Sequence, residues 1–127
     1  MNSAAEKKVI LVVDDDEHQL SVIKIILEGF YTVIAAKSGI LALEQIYKGC
    51  LPDIILLDIL MPEMDGFEVY NKIRGISLLR DIPIVYVSSV SEKEEIQKAL
   101  DTGAADFIMK PYNKTDLLTR ISKLIKD

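Results

Sequence analysis

The sequence predicts an α/β domain, a five-stranded parallel sheet wound on both faces in a (βα)5 arrangement. Short apolar runs alternate with helical patterns along the whole chain. The clearest runs, Val9-Ile10-Leu11-Val12-Val13 and Ile54-Ile55-Leu56-Leu57, are continuous rather than alternating, as strands buried on both faces are. Both end on acidic side chains, Asp14-Asp15-Asp16 and Asp58. In an open parallel sheet those positions lie together at the carboxyl edge.

In chain order, the first strand spans 9–13. Asp16 caps a helix near 17–28, with Gln19 spaced to complete a capping box. A second strand over 31–35 and a helix near 39–49 follow. Pro52 and Pro83 stand just before strands at 53–57 and 84–88, where a missing N–H is tolerated. The helix between them covers 66–74. Ser91 and Glu94 repeat the capping-box spacing before a helix near 92–102, and Gly103 ends it in a left-handed position. The fifth strand is 106–109. Asn113 caps the last helix, near 114–125, whose Leu117, Leu118, Ile121, Leu124 and Ile125 form one apolar stripe.

A chain of 127 residues, half of them apolar, has room for one core and not two. The domain is expected over 8–126, behind a frayed lead-in of residues 1–7. With 20 acidic residues against 15 basic, a net charge of −5 and no basic block, the chain has no nucleic-acid surface to offer. Cys50 is the sole cysteine, which excludes an internal disulfide and a thiolate-rich metal site; it reads as a small helix-end residue. No apolar stretch reaches the roughly 20 residues that cross a bilayer. Met1 to Lys8 is polar and lacks a signal peptide's apolar segment, so a soluble, cytoplasmic protein is expected.

The strand ends define the expected site. The first strand delivers Asp14 and Asp15, the third Asp58, the fourth Ser88, and the fifth Lys110 with Pro111 behind it. Clustered carboxylates repel one another unless a cation sits among them, and oxygen-only ligands suit a hard divalent ion such as Mg²⁺. Around a phosphoryl group, metal and Lys110 neutralise negative charge and the Ser88 hydroxyl donates a hydrogen bond. One carboxylate can act as nucleophile, as in aspartyl-phosphate enzymes.

These residues stand in motifs that resemble the receiver domain of two-component response regulators, of the chemotaxis-regulator-like kind. The resemblance is carried by Ile10 to Asp16, Leu57-Asp58-Ile59-Leu60-Met61-Pro62-Glu63-Met64-Asp65-Gly66, Pro83 to Ser88, and Gly103 to Tyr112, and it spans roughly residues 7 to 125. It implies a flavodoxin-like fold, with Asp58 as phosphoacceptor from a sensor histidine kinase or a histidine phosphotransfer protein. It further implies Asp14 and Asp15 as the Mg²⁺-binding pair, with the Leu60 backbone carbonyl as a further ligand. Ser88 and Phe107 become switch residues, Lys110 the phosphoryl-contacting lysine, and the helix 4, strand 5, helix 5 face the surface read by a downstream effector. Two positions depart from the pattern. Ser88 stands where Thr is common, which keeps the hydroxyl and loosens its rotamer. Leu60 stands where many relatives carry a polar side chain, which bears on the rate of self-dephosphorylation.

Plainer readings stand beside these. Asp16 is better explained as a helix cap than as a third ligand, Glu17 as a first-turn acid, Asp65 as a turn residue. His18 reads as surface, Tyr112 as a surface anchor, and the run Glu92 to Glu95 as a solvated helix face. Phe107 is equally well a core residue and a moving switch. An aspartyl-phosphate phosphatase would place its nucleophile on the first strand and leave Asp58 unexplained; it would also need a cap that the chain has no length for. A constitutive interaction module would have no use for the complete residue set. A flavin-binding module would need a hydroxyl- or Gly-rich loop after the first strand. Asp106 and Arg120 match positions of a cross-subunit ion pair in the winged-helix branch of the resembled family. Ile96 and Ala105 lack the rest of that network, so an unphosphorylated monomer is expected.

Overall fold

The computed structural model describes residues 7–125, so most of the expected lead-in (1–6) and the last two positions fall outside the described residues. The elements alternate strictly: β1 (Val9–Val13), α1 (Glu17–Leu27), β2 (Thr32–Ala36), α2 (Gly39–Tyr47), β3 (Ile54–Leu57), α3 (Gly66–Arg74), β4 (Ile84–Ser88), α4 (Lys93–Asp101), β5 (Asp106–Met109) and α5 (Lys114–Leu124). The five strands are parallel in the order β2-β1-β3-β4-β5. This is the doubly wound, flavodoxin-like arrangement, and strand order reverses between β1 and β3.

The continuous apolar runs are explained by two cores, one on each face of the sheet. Leu11, Val13, Ile55 and Leu57 point into the face covered by α2, α3 and, through Ala99, the C-terminal half of α4. Ile10, Val12, Ile54 and Leu56, one residue out of phase, point into the face covered by α1 and α5. Of the stripe expected on α5, Leu117 and Ile121 are fully buried, while Leu118, Leu124 and Ile125 pack at its margin.

The helix starts follow side-chain chemistry, with three differences from expectation. Asp16 caps α1, accepting from the His18 and Gln19 N–H groups at 2.9 and 3.2 Å. Its own N–H donates to Asp14 Oδ1 at 2.9 Å, so that donor is already satisfied without Gln19. Asp65, expected in a turn, is the N-cap of α3. It accepts from Glu68 N–H at 3.0 Å while Glu68 Oε1 accepts the Asp65 N–H at 3.2 Å, a full capping box. Before α4 the cap position falls on Glu92 rather than Ser91, and no side chain caps the helix. Gly103 does take the left-handed conformation after α4, at φ 97°. A short 3-10 turn at Ser77–Leu79, unforeseen in the sequence, seals the chain between α3 and β4 with the fully buried Leu79.

α4 is held differently from the other helices. Its one buried residue is Ala99. Beyond that it is tethered by polar contacts to an aromatic stack of Phe67 and Tyr70 from α3 with Tyr86 from β4. Lys98 Nζ lies 4.5 Å from the Phe67 ring centroid, and the Tyr86 hydroxyl is 3.5 Å from Thr102 Oγ1. Among the described residues no helix is long and apolar enough to cross a membrane.

Candidate functional site

The carboxyl edge between β1 and β3 is where the sequence expectations converge. The sheet ladder runs one residue past each strand: Asp14 N–H donates to Ala36 O at 3.1 Å, and Asp58 N–H to Val13 O at 2.9 Å. Both acidic residues are therefore fixed by backbone pairing before their side chains meet anything. Asp14 and Asp58 are 6% and 7% exposed, whereas Asp15 faces solvent. One carboxylate oxygen from each of the three lies within 4.8 Å of the others.

Lys110 arrives from the opposite side. Its N–H donates to Ser88 O at 2.9 Å, continuing the β4–β5 ladder, and its side chain reaches across β4 to the acidic pair. Nζ is 2.6 Å from Asp14 Oδ2 and 3.5 Å from Asp58 Oδ2. Ser88, at the end of β4, is completely buried; its Oγ accepts the Val90 N–H at 3.3 Å, and its hydroxyl is near enough to Asp58 to favour the charged carboxylate. Phe107 is half-buried on β5 opposite Tyr86, packed against the core beneath α3 and α4.

The β3–α3 loop is pressed against Asp58 from below. Gly66 N–H donates to Ile59 O at 2.8 Å. A Cβ on Gly66 would collide with the Asp58 carbonyl oxygen and lie 2.7 Å from Ile59 Cα, so only glycine fits there. At the loop's tip Glu63 has φ 68°, spanned by a bond from Met64 N–H to Pro62 O at 2.7 Å, a tight γ-turn with positive φ. Leu60 leaves its side chain 59% exposed beside the three carboxylates, on the wall of the cleft that they share.

Burial pushes the Asp58 carboxyl up to about 6; Lys110 opposes this, Asp14 adds to it, and the hydrogen bond from Ile59 N–H and the nearby Ser88 hydroxyl pull it back. Lys110 is raised as well: burial disfavours its charge, but the Asp14 hydrogen bond and the two carboxylates outweigh that. One lysine between two buried carboxylates, with a third beside them, leaves an excess of negative charge. That imbalance and the all-oxygen donor set fit a hard divalent cation held by Asp14, Asp15 and Asp58.

The other candidates sort cleanly. Asp16 is occupied as a helix cap, and His18 is exposed on the outer wall of the cleft. Arg120 pairs with Asp106 at 2.9 Å and Asp116 at 3.0 Å within its own chain. Tyr112 departs from expectation: it is not a surface anchor, since its hydroxyl is buried with no partner among the described residues. A residue number after Lys-Pro carries no information on which way a ring turns, so no sequence signal could have found this.

A parallel sheet in this strand order, with acidic side chains ending its first and third strands and a lysine reaching over from its fifth, defines a class of signalling module. The response regulator receiver domain family matches residues 10–122, and the chain belongs to it. It is therefore a receiver domain of two-component signalling. Among relatives, it is 37% identical over 118 residues to the response regulator PleD of Caulobacter vibrioides, covering 92% of this chain and 26% of PleD. It is 35% identical over 118 residues to the two-component response regulator ORR5 of Oryza sativa subsp. japonica, covering 92% and 88%. The crystal structure of a putative response regulator from Chloroflexus aurantiacus superposes with a TM-score of 0.88 at 30% identity, covering 94% of this chain and 98% of that one. The chain thus spans about a quarter of PleD's length but most of the other two.

Proposed function

We propose that the domain, taken as residues 8–126, accepts a phosphoryl group onto Asp58 from a phosphohistidine of a sensor histidine kinase or a histidine phosphotransfer protein. The observation that carries this reading is the reach of Lys110 across the sheet to both Asp14 and Asp58. A lysine spanning a nucleophile and its acidic neighbour is placed to follow charge as it moves onto an incoming phosphoryl group. Asp14, Asp15, Asp58 and the Leu60 backbone carbonyl would hold Mg²⁺, which when bound supplies positive charge to the phosphoryl oxygens.

In the transfer an Asp58 carboxylate oxygen bonds to phosphorus as the phosphorus–nitrogen bond of the donor breaks, and the bonding electrons leave with the imidazole. Ile59 N–H holds Asp58 Oδ1 at 2.8 Å, which fixes the carboxylate plane during attack. Lys110 stands on the side of Oδ2 and moves with the developing charge. Ser88 gives its hydroxyl to a phosphoryl oxygen, a bond available only after transfer, and that bond draws β4 and Phe107 toward the phosphorylated conformation. The α4, β5, α5 face would pass the change to a downstream effector. Beyond self-catalysed phosphorylation and dephosphorylation, we assign the domain no enzymatic activity.

The acidic site opens into a cleft of about 740 Å³ whose outer wall carries Val22 and Ile26 of α1 and Pro111. An apolar rim of this kind suits a helix that presents its histidine to Asp58. The net charge of −5 gives no support to nucleic-acid contact, and we take the domain to act in the cytoplasm, away from membranes, as a monomer before phosphorylation. Incubation with a small phosphodonor and Mg²⁺ should add one acid-stable, base-labile phosphate. Labelling of the D58N variant equal to the parent's would overturn the assignment.

A further inference from the structure

Tyr112 is the one described residue with a buried side-chain polar atom that no protein group satisfies. Its ring packs against the core beneath α1 and α5, a slot that phenylalanine would fill equally well. A buried hydroxyl without a partner is costly, so one is rarely left in that state. Tyr112 lines a small recess of about 10 Å³ together with Asp14, Gln19, Asp58 and Lys110, the rest of the lining being aliphatic side chains. That volume is about what a single water needs, and a buried water needs two to four polar partners.

The partners are present. A lysine ammonium carries three N–H donors. Asp14 Oδ2 takes one at 2.6 Å, and Asp58 Oδ2 draws a second at 3.5 Å. The third has no assigned acceptor, and Lys110 and Asp14 both lie close enough to act electrostatically on Tyr112.

We propose that one buried water joins the three groups, accepting from Lys110 Nζ–H and from the Tyr112 O–H and donating to the Asp14 carboxylate. Tyr112 is then a positioning residue. It ties the ammonium toward Asp14 and sets how far Lys110 stands from Asp58, a distance the resting structure holds at 3.5 Å. Without the hydroxyl the water loses a partner and Lys110 is freer to swing onto Asp58. The consequence for phosphorylation rests on the reading of Lys110 given above; the water and its contacts do not.

The test is Tyr112→Phe, with Tyr47→Phe, 72% exposed and remote from the recess, as control. A high-resolution crystal structure of the parent should show a water within hydrogen-bond distance of Tyr112 Oη and Lys110 Nζ, lost in Y112F. The ¹⁵N ammonium resonance of Lys110 should move in Y112F and stay in place in Y47F. Y112F should melt no higher than the parent, because it gives up a satisfied hydroxyl. Labelling by a small phosphodonor should slow by about 10-fold, the effect typical of a residue that orients a site group from behind. A dry recess, a rise in melting temperature, an unmoved Lys110 resonance or unchanged labelling would each overturn the proposal. Should the parent itself fail to label, the phosphoacceptor reading falls, while the first three measurements still decide this one.

Discussion

Replacing Asp58 by asparagine removes a buried charge that the metal-free protein only partly neutralises. The carboxyl is raised from 3.8 to about 6, with burial as the leading cause. Each unit is worth about 1.4 kcal/mol, so the ionised form costs the fold about 3 kcal/mol. The sign follows from the direction of the shift. A raised carboxyl binds its proton more tightly when folded, so its favourable contribution is complete below the unfolded value of 3.8 and is lost as pH climbs through about 6. With metal chelated at pH 7.5, D58N should therefore be more stable than the parent by about 2–3 kcal/mol, raising Tm by roughly 10 °C for a domain of this size. At pH 4 the gap should shrink to well under 1 kcal/mol, since the parent then carries the proton itself. Added Mg²⁺ should close it from the other side, by stabilising the parent more than the variant. Thermal melts of both proteins at the two pH values, with and without Mg²⁺, make the comparison. An asparagine variant that melts at or below the parent at pH 7.5, or a gap indifferent to pH, would refute the reasoning.

Other substitutions test neighbouring parts of the argument. D15A, which removes the exposed member of the carboxylate cluster, should lose most of the Mg²⁺-induced rise in Tm; a variant that keeps the parent's shift would remove Asp15 from the metal set. G66A forces a Cβ to within 2.7 Å of Ile59 Cα and into the Asp58 carbonyl, so denaturant melts should show a loss of at least about 1–3 kcal/mol together with impaired labelling of Asp58. Sedimentation should give a monomer at micromolar concentration without phosphodonor. Arg120 already spends its guanidinium on Asp106 and Asp116 of its own chain, and a tight dimer of the unmodified protein would contradict that expectation.

Much of this molecule was legible because its sheet is buried on both faces. Continuous runs such as Ile54 to Leu57 leave little choice of element, and β1, β4 and β5 fall on their expected residues. The site was legible for a related reason. Strand ends fix side chains through backbone pairing, so knowing the strands locates Asp14, Asp58 and Ser88, with Lys110 next in the ladder. What stayed hidden depends on one-residue choices and on side-chain direction. Ser91 and Glu92 compete for the start of α4, and spacing alone cannot tell which enters the helix. Asp65 before Gly66 reads as a turn because the close approach of the glycine to Asp58, which brings the aspartate to the helix start, is a tertiary contact. Ser77–Leu79 is too short for any periodicity to register.

The light anchoring of α4 has a thermodynamic corollary. With Ala99 as its buried residue and an uncapped start, this helix gives up little apolar contact when it shifts or frays. Its amides should be among the first of any helix to exchange with deuterium, through openings far below the free energy of global unfolding. That small gap sets the scale of signal needed to move it. A hydrogen bond to a charged group is worth roughly 1.5–3 kcal/mol, enough to tilt a two-state equilibrium by about 10- to 150-fold. On the function proposed above, one Ser88 hydroxyl engaging one phosphoryl oxygen would be sufficient to displace α4. A helix seated as deeply as α3, with Val69, Tyr70 and Ile73 buried, would barely respond to the same signal.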